Sequence, residues 1–201
     1  MNQPRFNISP ELLRLLTEAT ELKVWIAQAV VDVPWISALQ RDTAARLAHS
    51  STAIEGNPLA LPEVEALARG EATGAPEKAA REVGNCLAAM RWIWSRKPGS
   101  KIAERDLLRL HRLLTDRVLA SAQAGRYKAK ANRVVDAKGR TIYVPPGPEL
   151  AKSLTLELLS WIDGPEAQRL HPVIVGAVAH HRLVSIHPFA DGNGRIARAL
   201  G

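Results

Sequence analysis

The sequence predicts an all-α domain carrying one small β-hairpin. Three observations lead there. Apolar residues recur at spacings of three and four along most of the chain. Ser, Pro and Gly punctuate that pattern where helices should begin and end. The period shortens to two in a single stretch, residues 132–144. A length of 201 residues, 46% of them apolar, is enough for one compact domain with a real core.

Ser9-Pro10-Glu11 reads as a cap followed by proline in a first turn. Leu12, Leu15, Leu16, Ala19, Leu22 and Ile26 then form an apolar stripe, with Pro34 at its end or at the start of the next element. A second helix is expected from Trp35 to Glu55, stopped by Gly56-Asn57-Pro58. A short helix from Pro62 to Arg69 follows, then one from about Glu77 to Arg96, broken by Pro98-Gly99-Ser100. Glu104 to Leu119 is predicted helical, with Leu107, Leu110, His111, Leu114 and Val118 on one face. Val134-Val135 and Thr141-Ile142-Tyr143-Val144 flank Asp136-Ala137-Lys138-Gly139, a hairpin turn closed by Pro145-Pro146. Helices are then expected from about Pro148 to Ile162 and from Pro172 to Ser185. There is no repeat and no low-complexity tract.

Composition bounds the function. No window approaches the ~18–20 uninterrupted apolar residues of a membrane span, and Met1 to Ser9 lacks a signal-peptide core. The single cysteine, Cys86, has no internal partner, which fits a reducing, cytoplasmic setting, and its apolar surroundings predict burial. A formal net charge of +7 asks for an anionic partner. No uninterrupted basic stripe with interleaved aromatics appears, which argues against nucleic acid. Trp92 and Trp94 are expected to pack the domain rather than stack on bases.

The densest chemistry is His187-Pro188-Phe189-Ala190-Asp191-Gly192-Asn193-Gly194-Arg195-Ile196-Ala197-Arg198. Gly192 and Gly194 permit a tight turn and a close backbone approach. The following residues read as a helix start, whose free N–H groups suit an anion such as a phosphate chain. Arg195 and Arg198 fall on neighbouring parts of one helical face, and guanidinium matches phosphate oxygens. Asp191 offers a hard oxygen for Mg²⁺, and His187 can take a proton near neutral pH. Together they supply the parts of a phosphoryl or nucleotidyl transfer site. The chain stops at Gly201, which would leave a helix begun at Gly194 barely two turns long and suggests a segment of a longer protein.

This stretch resembles the signature of the Fic family, HPFx(D/E)GNGRxxR, with every defining position filled. The resemblance implies a helical Fic domain that transfers AMP from ATP to a Ser, Thr or Tyr hydroxyl of a target protein. It implies His187 as the base and Asp191 as the Mg²⁺ ligand. Gly192, Asn193, Gly194, Arg195 and Arg198 would hold the nucleotide. Phe189 would anchor the loop in the core and Pro188 would fix its entry angle.

Ser51 and Glu55 stand four apart near a helix C-terminus, where the dipole disfavours an acid, so a cationic partner is expected elsewhere. The stretch resembles the inhibitory motif (S/T)xxxE(G/N) of Fic proteins with a built-in inhibitory helix before the core. That implies residues 1–60 as N-terminal helices, 61–201 as the core, and Glu55 paired with Arg198 where the γ-phosphate of ATP should sit. The hairpin resembles the Fic flap, which holds the target segment; Lys128 stands where the family often has arginine. Self-association that stabilises the inhibitory helix fits such families.

Other readings stay open on sequence grounds. Glu55 could instead activate water to remove AMP from a modified protein, or the fold could transfer phosphate or phosphocholine. A non-enzymatic regulatory or nucleic-acid-binding module is the third. His111 and His180 read as packed, hydrogen-bonded histidines and His171 as a loop residue, since no cysteine or carboxylate lies at zinc spacing.

Overall fold

The computed structural model describes residues 6–29, 35–97 and 99–201, so the sequence-level roles of Pro34 and Pro98 lie outside the described residues. Helices run in the order α1 (Pro10–Gln28), α2 (Ile36–Ala53), α3 (Leu61–Arg69), α4 (Glu77–Trp94) and α5 (Glu104–Thr115). An antiparallel pair follows, β1 (Val134–Val135) and β2 (Thr141–Tyr143). The chain continues through α6 (Pro148–Ile162), α7 (Pro165–Gln168), α8 (Pro172–Ile186) and α9 (Asn193–Leu200). The all-α expectation with one hairpin holds.

Local chemistry explains the element ends. Ser9 Oγ accepts the Leu12 N–H at 3.1 Å, capping α1 ahead of its first-turn proline. In the hairpin, Val134 faces Tyr143 and Val135 faces Thr141 with a bulge between them. Asp136 closes the turn by accepting the backbone N–H groups of Lys138 and Arg140, each at 2.9 Å. Tyr143 donates to the Ser185 carbonyl at 2.8 Å and ties the hairpin to α8.

The core gathers Val64, Val83, Leu107, Leu114, Leu158, Leu183, Phe189 and Ile196, each essentially inaccessible to water. Burying a side chain of this size contributes about 1.5–3 kcal/mol against exposure, so this cluster outweighs any surface ion pair. Two of these residues, Phe189 and Ile196, belong to the segment around α9. Helix α9 packs on α8, α5 and α2, so the residues between α8 and α9 are fixed by the core itself.

Three expectations need correction, and two further features carry no signal in the sequence. Helix α5 ends at Thr115, not Leu119: Asp116 leaves helical geometry, Arg117 has φ 53°, and Asn85 Nδ2 donates to the Asp116 carbonyl at 2.8 Å. Val118 therefore lies beyond the apolar face assigned to it. Helix α2 ends at Ala53, and Glu55 sits in a tightened turn whose N–H donates to Thr52 O at 3.0 Å before Gly56 at φ 86°. The apolar stripe of α1 is largely exposed, with Leu16 its buried member, and α7 adds a short helical turn that periodicity did not signal. Trp92 packs against the core between Arg96 and Arg109, but Trp94 is about half exposed.

Candidate active site

His187 is the C-cap of α8 and adopts left-handed geometry, φ 50° and ψ 57°. A non-glycine residue there is strained by on the order of 1–3 kcal/mol, and Pro188 immediately after it fixes the exit direction. Its Nδ1 lies 3.2 Å from the Val184 carbonyl, which only accepts, so Nδ1 carries the proton and Nε2 keeps its lone pair. Burial pushes the imidazole below its ordinary value, and the Lys128 ammonium adds to that push. The group is a neutral base with an open acceptor nitrogen.

The loop after it is clamped from two sides. Asn193 is buried, and its side chain takes both ends of one residue: Phe189 N–H donates to Oδ1 at 2.9 Å and Nδ2 donates to Phe189 O at 2.9 Å. Asn132 Nδ2 adds a second donor to Phe189 O at 3.0 Å, and Lys128 N–H donates to Pro188 O at 2.9 Å. Lys128 Nζ in turn donates to Asn132 Oδ1 at 2.7 Å. What Asn193 can offer a ligand is thus its backbone N–H, at the open end of α9, rather than its amide.

Beneath the loop, His111 stacks on Phe189 with ring centroids 3.9 Å apart. Gly125 N–H donates to His111 Nδ1 at 2.9 Å, which leaves the proton on Nε2, and Nε2 donates to Asp191 O at 3.0 Å. Burial holds this imidazole below its usual value, keeping the neutral tautomer that both bonds require. Gly192 turns with φ 77°, and a Cβ there would meet Thr115 Cγ2 at 3.0 Å, so glycine is required twice over.

Helix α9 opens with free N–H groups on Asn193, Gly194 and Arg195, since its first backbone bond is Ile196 N–H to Gly192 O. Gly194 is an ordinary helical residue rather than a second left-handed turn; its lack of a side chain serves close approach. A Cβ on Gly194 would lie 2.5 Å from Glu55 Oε1 and 3.0 Å from an Arg198 nitrogen. The Glu55 carboxylate therefore occupies the place an anion would take over the helix start. Arg198 Nη2 donates to that same oxygen at 2.6 Å and to Ser51 O at 2.9 Å, while Nε donates to Ser51 Oγ at 3.1 Å. The cationic partner expected for Glu55 is Arg198. Arg195 is buried, its Nη2 3.6 Å from Asp191 Oδ1.

Asp191 exposes more than half of its side chain. Among the described residues no group of three or more His, Cys, Asp and Glu side chains could hold a metal ion. One exposed hard carboxylate beside an anion cradle fits Mg²⁺, which keeps water and takes its remaining oxygens from phosphates. Cys86 is buried, and desolvation pushes its thiol up. His171 caps α8, accepting the Val173 N–H, and His180 is half-buried. Among the described residues no helix is long and apolar enough to cross a membrane.

Of the residues singled out in the sequence, the structure brings Ser51, Glu55, Gly194 and Arg198 into contact and carries His187, Asp191, Gly192, Asn193 and Arg195 on the adjoining loop and helix start. Sequence reasoning missed how they are held. His111 read as a packed histidine, which it is, but its bonds to Gly125 and Asp191 are tertiary and leave no spacing signal. The Lys128–Asn132 clamp is equally silent in sequence.

Residues 101–201 match the Fic/DOC family profile. A protein adenylyltransferase Fic of Nematostella vectensis is 33% identical over 160 residues, 76% of this chain and 35% of that protein. Protein adenylyltransferase fic-1 of Caenorhabditis elegans is 32% identical over 171 residues, 81% of this chain and 32% of that protein. The crystal structure of a Fic family protein from Desulfovibrio desulfuricans G20 superposes with a TM-score of 0.84 at 27% identity, over 99% of this chain and 58% of that one. The chain spans about a third of the length of the curated relatives it matches.

Proposed function

Since the chain belongs to the Fic/DOC family, we propose that it is a protein adenylyltransferase, moving AMP from ATP to a Ser, Thr or Tyr hydroxyl of a target protein and restrained by Glu55. The observation that carries this reading is the meeting of a neutral, acceptor-ready His187 with an α9 start whose anion place Glu55 fills. A base and a phosphate cradle on one rigid loop suit transfer by positioning and fixed charge.

In the reaction, His187 Nε2 takes the proton of the target hydroxyl as its oxygen attacks the α-phosphorus. The bond from that phosphorus to the bridging oxygen breaks, and pyrophosphate leaves. The N–H groups of Asn193, Gly194 and Arg195, with Arg195 and Arg198, bind the β- and γ-phosphates. Bound Mg²⁺ on Asp191 would offset phosphate charge. Hairpin edge Thr141–Tyr143, exposed throughout, is where an extended target segment can pair.

Restraint follows from charge. Arg198 is already committed to Glu55 and Ser51, and a γ-phosphate brought to Gly194 would meet a carboxylate. A second reading has one observation in its favour: a partly exposed carboxylate beside the phosphate place could instead activate water and remove AMP from a modified protein. The test uses Glu55→Gly with ATP labelled at the α- or the γ-phosphate. Protein-bound label from the α-position alone supports AMP transfer; label from the γ-position, or from neither, overturns it. A pre-modified target that loses AMP with the native chain but not with Glu55→Gly would favour the reverse direction.

A further inference from the structure

A second recess lies beside the same loop, separate from the phosphate cradle. It has a volume of about 440 Å³, within the range of pockets that hold small ligands or side chains. Its walls include Gln123, Arg126, Lys128, Lys130, Asn132 and Ala190, and no acidic residue lines it. Neither Glu55, Gly194 nor Arg198 contributes to it. Lys128 is buried and committed to Asn132, whereas Arg126 and Lys130 are exposed and make no ion pair among the described residues. Glu149 influences Lys128 but does not line the recess.

The position of this charge matters more than its amount. Ala190 stands between Phe189 and Asp191, and the Lys128 N–H holds Pro188, the neighbour of His187. One wall of the recess is therefore the catalytic loop. A polypeptide presenting a hydroxyl to His187 must pass close to this wall. Two exposed cations around a concave surface favour carboxylates on that polypeptide, through steering and orientation. The phosphates of ATP already have a matched place on α9, so the recess is left for the other substrate.

We infer that the recess bounded by Arg126, Lys130 and Ala190 receives acidic side chains flanking the hydroxyl of the target protein, so that the substrate class is an acidic segment. This rests on the adenylyltransferase reading and adds to it a rule for choosing targets. Lys128 holds the loop, and Arg126 and Lys130 read the charge.

The test uses fluorescent peptides of one length with a central Ser, Thr or Tyr, flanked by Glu or by Gln. Binding to Glu55→Gly protein is followed by anisotropy at low and high salt. The Glu-flanked peptides should bind roughly tenfold more tightly at low salt, with the advantage shrinking as salt rises. Arg126→Glu with Lys130→Glu should erase the advantage, and Arg126→Gln with Lys130→Gln should reduce it, with ATP binding and thermal unfolding unchanged. Equal binding of the two peptides, or an advantage that survives charge reversal, overturns the inference. A DNA oligonucleotide that displaces the acidic peptide from the parent but fails to bind the reversed variant overturns it in favour of nucleic acid. AMP transfer from α-labelled ATP is measured in parallel. Transfer with equal peptide binding sinks only the docking rule; selective binding with no transfer to any protein sinks the adenylyltransferase reading instead.

Discussion

At His187 the strain of the backbone and the neutrality of the ring serve one end, an acceptor nitrogen held in a fixed direction. His187→Ala should abolish transfer in the Glu55→Gly background while ATP binding by calorimetry stays largely intact; persistent labelling would remove His187 as the base. Burial and Lys128 lower its proton affinity, so the acid limb of the transfer profile should lie below the ordinary imidazole value of 6.5. Lys128→Met removes a positive neighbour and should move that limb upward, and a limb that stays put would discard the electrostatic argument. The sign for stability is similar. His111 and His187 both bind a proton less readily folded than unfolded, so the unfolded state gains protons first as pH falls. Stability should be full above pH 6.5 and decline on acidification below it, as thermal melts across that range would register.

At the scale of elements, the link between α8 and α9 is held by side-chain-to-backbone bonds on a buried phenylalanine. Asn193→Ala leaves the Phe189 N–H without a partner and its carbonyl with Asn132 Nδ2 alone, and should lower unfolding free energy by about 1–3 kcal/mol. Asn193→Asp, which keeps the acceptor, should differ from it, and a native melting temperature for the alanine variant would contradict the clamp. Gly192→Ala faces both a left-handed backbone and Thr115, so it should destabilise by at least 1 kcal/mol or so. Element types were legible because propensity, caps and periodicity agree along most of the chain, as at Ser9 and the Asp136 turn. The end of α5 was not, because Asn85 draws the Asp116 carbonyl out of the helix from another element. Exposure of the α1 stripe was equally hidden, since an amphipathic pattern states which face is apolar and not what covers it.

For the whole molecule, the decisive contact joins the turn after α2 to α9 across most of the chain, Glu55 to Arg198. The sequence told that an acid sat against its helix dipole, and the family resemblance supplied its partner. No pattern in the residues alone could set their separation, because it depends on how α2 packs over α9. Both side chains are partly exposed, so losing the pair should cost stability about 1 kcal/mol at most. The Glu55→Gly protein should therefore remain folded, and its change in activity can be read as release of Arg198. The most direct measurement is the intact mass of native and Glu55→Gly protein after incubation with ATP and Mg²⁺, with Glu55→Gly/His187→Ala as the control. One or more added AMP groups on Glu55→Gly, far fewer on the native chain and none on the double variant is the predicted result. Equal modification of native and Glu55→Gly protein, or modification that survives loss of His187, would contradict it.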